Sequence, residues 1–136
     1  ANQCQAQQHP AKTELECVKL TEQFVSLPST NPLKPSPHIT GGSIDLTILD
    51  ANGNPLNMGT HFDSFTNKAH TDFFEDSLNK NDTDGIKVNR RLLYQVMTQA
   101  GFTNFPFEWW HFDYGNQFWA SLSKQPYAFY GPTKPS

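Results

Sequence analysis

The chain has 136 residues, enough for one domain with a real core, and its 10 basic against 13 acidic residues leave a net charge of −3. No basic patch or run appears, which argues against nucleic acid as a partner. No apolar run approaches the ~20 residues needed to span a bilayer. Aromatic residues are abundant, with 11 Phe, 4 Tyr and 3 Trp. Most of them lie after residue 60, so the core is expected mainly from the C-terminal two-thirds.

Residues 1–9 are polar and rich in Gln, and apolar positions at roughly helical spacing predict a helix over 11–27, with Pro10 suited to its start. Cys4 and Cys17 belong to no CxxC pair; a disulfide between them and two free thiols both fit the sequence. Pro28, Pro32, Pro35 and Pro37 make residues 28–37 an extended loop leading into His38, since each proline removes a donor and fixes φ. Ile44 to Leu49 alternates and predicts a strand with Asp45 near its start. The Asn52-Gly53 turn and a short return strand over 56–59 would complete a hairpin. Thr60 to Phe65 reads as a loop, 71–79 as a short helix or irregular chain, and 81–85 as a polar turn.

The clearest helix is predicted over 88–100, with Asn89 as cap, Leu92, Leu93, Val96 and Met97 as its buried stripe, and Gly101 just past its end. A strand is expected over 108–113, with 117–122 as a second segment able to pair with it. The order of helix, hairpin, helix, hairpin predicts an α+β fold with an antiparallel sheet and flanking helices.

Two segments carry chemistry. His38 and Asp45 are separated by a Gly41-Gly42 turn that can fold one back against the other. Taken alone, the pair also fits a loop histidine and a strand-edge aspartate. Glu108 and His111 stand in an aromatic run, Phe107 to Phe112, where unpaired polar groups would be costly. In a strand, residues three apart point to opposite faces, so both can reach one cleft only if the strand bulges or ends between them. Catalytic zinc needs three protein ligands and an open position for water. His38, Asp45 and His111 would fill the ligand set, leaving Glu108 as proton carrier. Asp113, on the same strand face as His111, fits either a carboxylate that orients that imidazole or an ordinary edge residue. His9 reads as solvent-exposed, and His61 and His70 fit either the lining of a cleft or, better, surface or loop positions. Asp82 and Asp84 do not make a calcium loop, because the glycine and the distal glutamate it needs are missing. Trp119 and the 127–130 aromatics read as core and surface packing.

Ser36-Pro37-His38-Ile39-Thr40-Gly41-Gly42-Ser43-Ile44-Asp45 resembles the SxHxxGxAxD motif of the zinc D-Ala-D-Ala dipeptidases of peptidase family M15, with Ser43 at the usual Ala position. Glu108-Trp109-Trp110-His111 resembles their ExxH motif, and Asn57 to Asp63 looks like the MGTxFD segment that lies between the two. Three motifs in order make the resemblance specific over roughly residues 36–119. It is to the vancomycin-resistance type of dipeptidase, a family related in fold to D,D-carboxypeptidases and the hedgehog signalling domain.

The resemblance implies one zinc ion per chain held by His38, Asp45 and His111, with Glu108 as general base. It implies that Asp63 binds the free ammonium of the dipeptide and that Ser36 hydrogen-bonds it near its termini. Cell-wall metabolism is the implied setting, in a periplasmic or secreted location or in the cytoplasm. D,D- or L,D-carboxypeptidase activity on stem peptides and a non-catalytic zinc-containing binding module are the alternatives. One departure stands out. The family's oxyanion-stabilising arginine belongs to an upstream YRP-like segment, and this chain has only Arg90 and Arg91, on the predicted helix. The expectation is therefore either the C-terminal portion of a longer domain, partnered by an N-terminal fragment of the same precursor, or a shortened natural form.

Overall fold

The computed structural model describes residue 31, residues 35–75 and residues 84–133. The predicted helix over 11–27, both cysteines, His9 and most of the polar turn over 81–85 lie outside these residues. Among the described residues the architecture is α+β, a three-stranded antiparallel sheet with two helices. Strand β1 (Ser43–Asp45) pairs with β3 (His111–Asp113), which pairs on its other side with β2 (Thr103–Asn104), giving the order β1-β3-β2. Helix α1 spans Ile86–Gln99 and helix α2 spans Gln117–Leu122. Single turns of 3-10 helix stand at Pro37–Thr40, Asn67–Ala69 and Phe73–Glu75.

The strands are shorter than the alternation predicts. The chain from Pro106 to Trp110 turns away from the sheet, so the last rung it offers β1 is the Leu46 N–H to Trp110 carbonyl bond of 3.0 Å. Residues 46–49 therefore leave the ladder. The expected return strand over 56–59 reduces to a bridge between Leu49 and Pro55, with Leu56 N–H bonded to the Ile48 carbonyl at 2.9 Å. The strand expected over 108–113 begins only at His111, for the same reason.

Helix α1 begins two residues before its predicted start, at Ile86, and Gly85 rather than Asn89 precedes it. Asn89 instead donates to the Asn57 carbonyl at 2.9 Å, tying the helix to the loop before Met58. The buried face is also rotated from expectation: Arg90, Leu93 and Met97 are buried, while Leu92 and Val96 are exposed. Arg90 wins the inward position because its guanidinium finds three carbonyl acceptors, those of Met58 (2.8 Å), His70 (2.6 Å) and Lys68 (2.7 Å). Its charge also lies over the Phe74 ring, 4.7 Å from the centroid. The second segment expected as a strand, 117–122, is helix α2. Asn116 caps it, accepting the Trp119 N–H at 3.0 Å.

The core is Met58, Ala69, Leu93, Met97, Trp109, Trp110 and Phe112, with Leu46, Ile48, Leu56 and Phe102 packed against it. It lies beneath the turn that joins β2 to β3. That turn is the element that decides the chemistry.

Candidate metal centre

The sheet register sets the first contact. Asp45 of β1 and His111 of β3 are direct cross-strand partners, so their side chains share one face. Asp45 Oδ1 lies 3.2 Å from His111 Nδ1. His38 reaches the same oxygen from the 3-10 turn, with Nε2 at 3.7 Å, and its ring stands edge-on to that of His111 with centroids 4.9 Å apart. The two glycines between His38 and Asp45 make this return possible. Gly41 sits in the left-handed region at φ +69°, and a Cβ on Gly42 would stand 2.7 Å from the Tyr114 carbonyl oxygen.

Glu108 comes to the same place because the strand ends before it. Glu108 N–H bonds to the Phe105 carbonyl at 3.0 Å, closing a turn that puts its carboxylate 3.7 Å from His111 Nδ1. Asn104 fixes this turn from below: its amide donates to the carbonyls of Glu108 (3.1 Å) and His111 (3.0 Å), and its own oxygen accepts from Thr71 at 2.6 Å. No motif in the sequence marks Asn104, whose partners are two backbone carbonyls and the Thr71 hydroxyl, brought to it only by the fold.

The segment carrying Asp63 packs alongside. The Phe62 ring stacks on Trp109 at 5.5 Å, and the Trp109 indole N–H donates to Thr60 Oγ1 at 2.8 Å. Asp63 is exposed, and its carboxylate is close enough to raise the Glu108 pKa. Ser36 immediately precedes the 3-10 turn of His38 and is half-buried. His61 is exposed and His70 packs edge-to-face against Phe107 at 5.1 Å; neither joins the cluster. Arg91 is held by Glu75 in a two-pronged pair at 2.6–2.7 Å, and Arg90 by its three carbonyls, so both of the chain's arginines are engaged away from the cluster.

Electrostatics follow from burial. Desolvation pushes the Glu108 carboxyl up to about 7, helped by Asp45, Asp63 and Asp113 and opposed by His111. Burial works against protonated His111, but hydrogen bonds and attraction from Asp113 and Asp45 outweigh it and raise its pKa to about 9. Asp113 is buried, which works against its charge, but the hydrogen bonds and charge of its neighbours, His111 foremost, hold its pKa below the usual carboxylate range. The reading of Asp113 as the carboxylate that faces His111 is thus the one realised, with both oxygens 3.1 Å from Nε2.

The donor set fits a metal ion. One ligand atom from each of His38, Asp45 and His111 lies within 4.8 Å of the others. Ligand atoms at about 2.0–2.2 Å from a tetrahedral zinc stand roughly 3.3–3.6 Å apart, close to the 3.2 and 3.7 Å separations around Asp45. The exposed side of the cluster, at His38 and Asp45, leaves room for a further ligand.

Two histidines and an aspartate that could hold a metal ion thus lie beside a buried glutamate. The chain belongs to the peptidase M15 family, described as D-ala-D-ala dipeptidase, whose model matches residues 2–130. A D-alanyl-D-alanine dipeptidase of Synechocystis is 33% identical over 120 residues, covering 80% of this chain and 49% of the relative. That of Escherichia coli is 38% identical over 78 residues, covering 57% of this chain and 37% of the relative. That of Enterococcus faecalis is 35% identical over 79 residues, covering 57% and 36%. The chain spans about half or less of the length of these curated relatives.

Proposed function

We propose that this chain carries the zinc site and general base of a D-Ala-D-Ala dipeptidase of cell-wall metabolism, with the hedgehog/D,D-peptidase-like arrangement of that family. The observation that carries the reading is the convergence of His38, Asp45 and His111 on one point with Glu108 beside it. His38, Asp45 and His111 would hold one zinc ion, which when bound polarises a carbonyl and acidifies water.

The chain's own residues supply the rest. Glu108, buried beside the ligand set, is placed to take a proton and return it to a leaving amine. Its burial keeps bulk water from competing for that proton. Asp63 stands in the field of Glu108 and is free to pair with the ammonium of a dipeptide, which selects short substrates with a free amine. Ser36, before the His38 turn, would hydrogen-bond the dipeptide near its termini. Both arginines are engaged elsewhere, so in this reading the oxyanion donor would come from an N-terminal companion polypeptide or be lacking. Losing one such donor costs on the order of 10²–10³ in rate.

The test is release of D-Ala from D-Ala-D-Ala by the zinc-loaded chain, with and without an N-terminal companion polypeptide. Turnover that rises with the companion and falls in Glu108→Gln supports the reading. Absence of turnover in both conditions would favour the second reading, a zinc-containing binding module, which the engagement of Arg90 and Arg91 supports. Asp63→Ala separates a dipeptidase from a carboxypeptidase on longer stem peptides: dipeptide turnover that survives this change unaltered removes the dipeptide assignment.

A further inference from the structure

One face of the β1–β3 pair carries Ser43, Asp45, His111 and Asp113, because Ser43 opposes Asp113 and Asp45 opposes His111 in the ladder. Asp45 and His111 belong to the metal-ligand cluster. Ser43 and Asp113 lie behind it, and neither has a role in the function proposed above. Asp113 is 1% exposed and Asn116 is fully buried, so their polar atoms must be satisfied internally.

They are satisfied by one another. Ser43 Oγ donates to Asp113 Oδ1. Asn116 Nδ2 donates to the same oxygen at 2.6 Å and lies 3.0 Å from Ser43 Oγ. Both Asp113 oxygens then face His111 Nε2 at 3.1 Å. An imidazole whose Nε2 donates to a carboxylate keeps Nδ1 free of its proton when neutral, and Nδ1 is the atom that faces Asp45 and Glu108. Asn116 works at both ends of its side chain. Its amide N–H group pins Asp113, while its oxygen accepts the Trp119 N–H and starts helix α2.

We propose that Asn116, together with Ser43, is a positioning residue for the metal site, holding Asp113 so that His111 presents Nδ1 to the metal. The proposal rests on the reading of His111 as a ligand. Ser43 adds a donor where the motif it resembles carries alanine, so this chain holds Asp113 more tightly than an alanine there would allow. Asn116 adds the tie to α2, so the start of that helix and the orientation of a ligand are set by one side chain.

The cap and the positioning role separate by mutation. Asn116→Ser keeps a good N-cap acceptor but is too short to reach Asp113 with a donor. Ser43→Ala removes a hydroxyl at a partly exposed strand position where folding is not at risk. Zinc dissociation constants are measured on the full chain by competition with a chromophoric chelator. Metal-free melting is followed in parallel, and histidine nitrogen–proton NMR spectra of the zinc-loaded forms identify the protonated nitrogen of His111. Removing an outer partner of a ligand typically weakens metal binding 10–100-fold. We expect Asn116→Ser to fall in that range and Ser43→Ala to lose several-fold, with metal-free melting lowered in both because the buried Asp113 carboxylate loses a donor, and with the Nε2–H signal of His111 broadened or lost. Wild-type zinc affinity and an intact Nε2–H signal in both variants would overturn the proposal while leaving the ligand assignment standing. Failure of the wild-type chain itself to bind zinc would overturn both.

Discussion

His111 and His38 face the same Asp45 carboxylate, yet the side chain of the first is 6% exposed and that of the second 54%. His111 sits on the central strand, flanked by Trp110 and Phe112, and its ring is gripped from behind by Asp113. His38 rides on a single 3-10 turn. That turn is closed by Thr40 Oγ1 donating to the Pro37 carbonyl at 2.6 Å, and the tail holds it from outside through the Thr133 N–H to Ile39 carbonyl bond of 2.9 Å. The difference teaches that the site has two mechanical halves. Orientation of His111 comes from the same burial that folds the domain, so it cannot be lost without losing stability. Orientation of His38 comes from local backbone geometry, so it can be lost alone.

The largest effect is expected where the two properties are fused. Trp110→Ala removes a side chain 1% exposed in the core beneath the Glu108 turn and should cost about 3–5 kcal/mol. Urea unfolding with chelator present should show that loss, and zinc binding should disappear with the fold. A variant that melts early yet binds zinc normally would show that His111 is held independently of the core. His38→Ala should do the reverse. Zinc affinity should collapse, while metal-free stability moves by no more than roughly 0.5 kcal/mol, as for an exposed substitution. A large loss of metal-free stability in His38→Ala would erase the distinction between the halves.

A smaller effect separates the halves by pH. In the metal-free chain the His111 pKa is raised from 6.5 to about 9. A raised histidine pKa stabilises the folded state fully below the unfolded value and loses that contribution as pH climbs through the folded one. Metal-free stability should therefore decline between about pH 6.5 and 9. The lowered pKa of Asp113 acts at the other end, with its contribution present above the normal carboxylate range and lost on acidification. The raised Glu108 pKa adds a decline of its own, but one that is complete by about pH 7, so urea midpoints with chelator at pH 7.5 and pH 9.5 test the His111 part. That part should persist in His38→Ala and vanish in His111→Gln if that variant folds. A decline above pH 7.5 that survives in His111→Gln would assign it to another group.

The sequence resolves the two halves unequally. His38, Asp45, Glu108 and His111 are legible as one cluster because each belongs to a short motif that resembles those of the family the chain belongs to. The condition that a strand must end between Glu108 and His111 also follows from side-chain alternation, and the turn at Pro106–Trp110 meets it. What supports His111 from behind is much less legible. Asp113 is signalled by its spacing, but Ser43, Asn104 and Asn116 act through partners 3 to 73 residues away that no motif pairs with them. Helix α2 reads as a strand because Phe118 and Trp119 favour one, and the contrary signal is a single capping asparagine. The stripe on α1 reads wrongly at Leu92 and Val96 because periodicity cannot tell that Arg90 will find three carbonyls.

The smallest expected effect bears on the exposed half and on how little holds it. Thr133 contributes two contacts to the Ile39 carbonyl, from N–H at 2.9 Å and from Oγ1 at 3.1 Å. Ile39 directly follows His38, so these contacts limit how far the turn can open toward solvent. Thr133→Val keeps the N–H and the side-chain shape but removes the hydroxyl. A net hydrogen bond is worth about 0.5–1.5 kcal/mol, less where water competes. Zinc affinity should thus fall only about twofold to fivefold, with metal-free melting unchanged. Ending the chain at Pro132 removes both contacts and should roughly square that factor. If neither change moves zinc affinity, the His38 turn is fixed by Thr40 and Gly41 alone, and the exposed half of the site is stiffer than its burial implies.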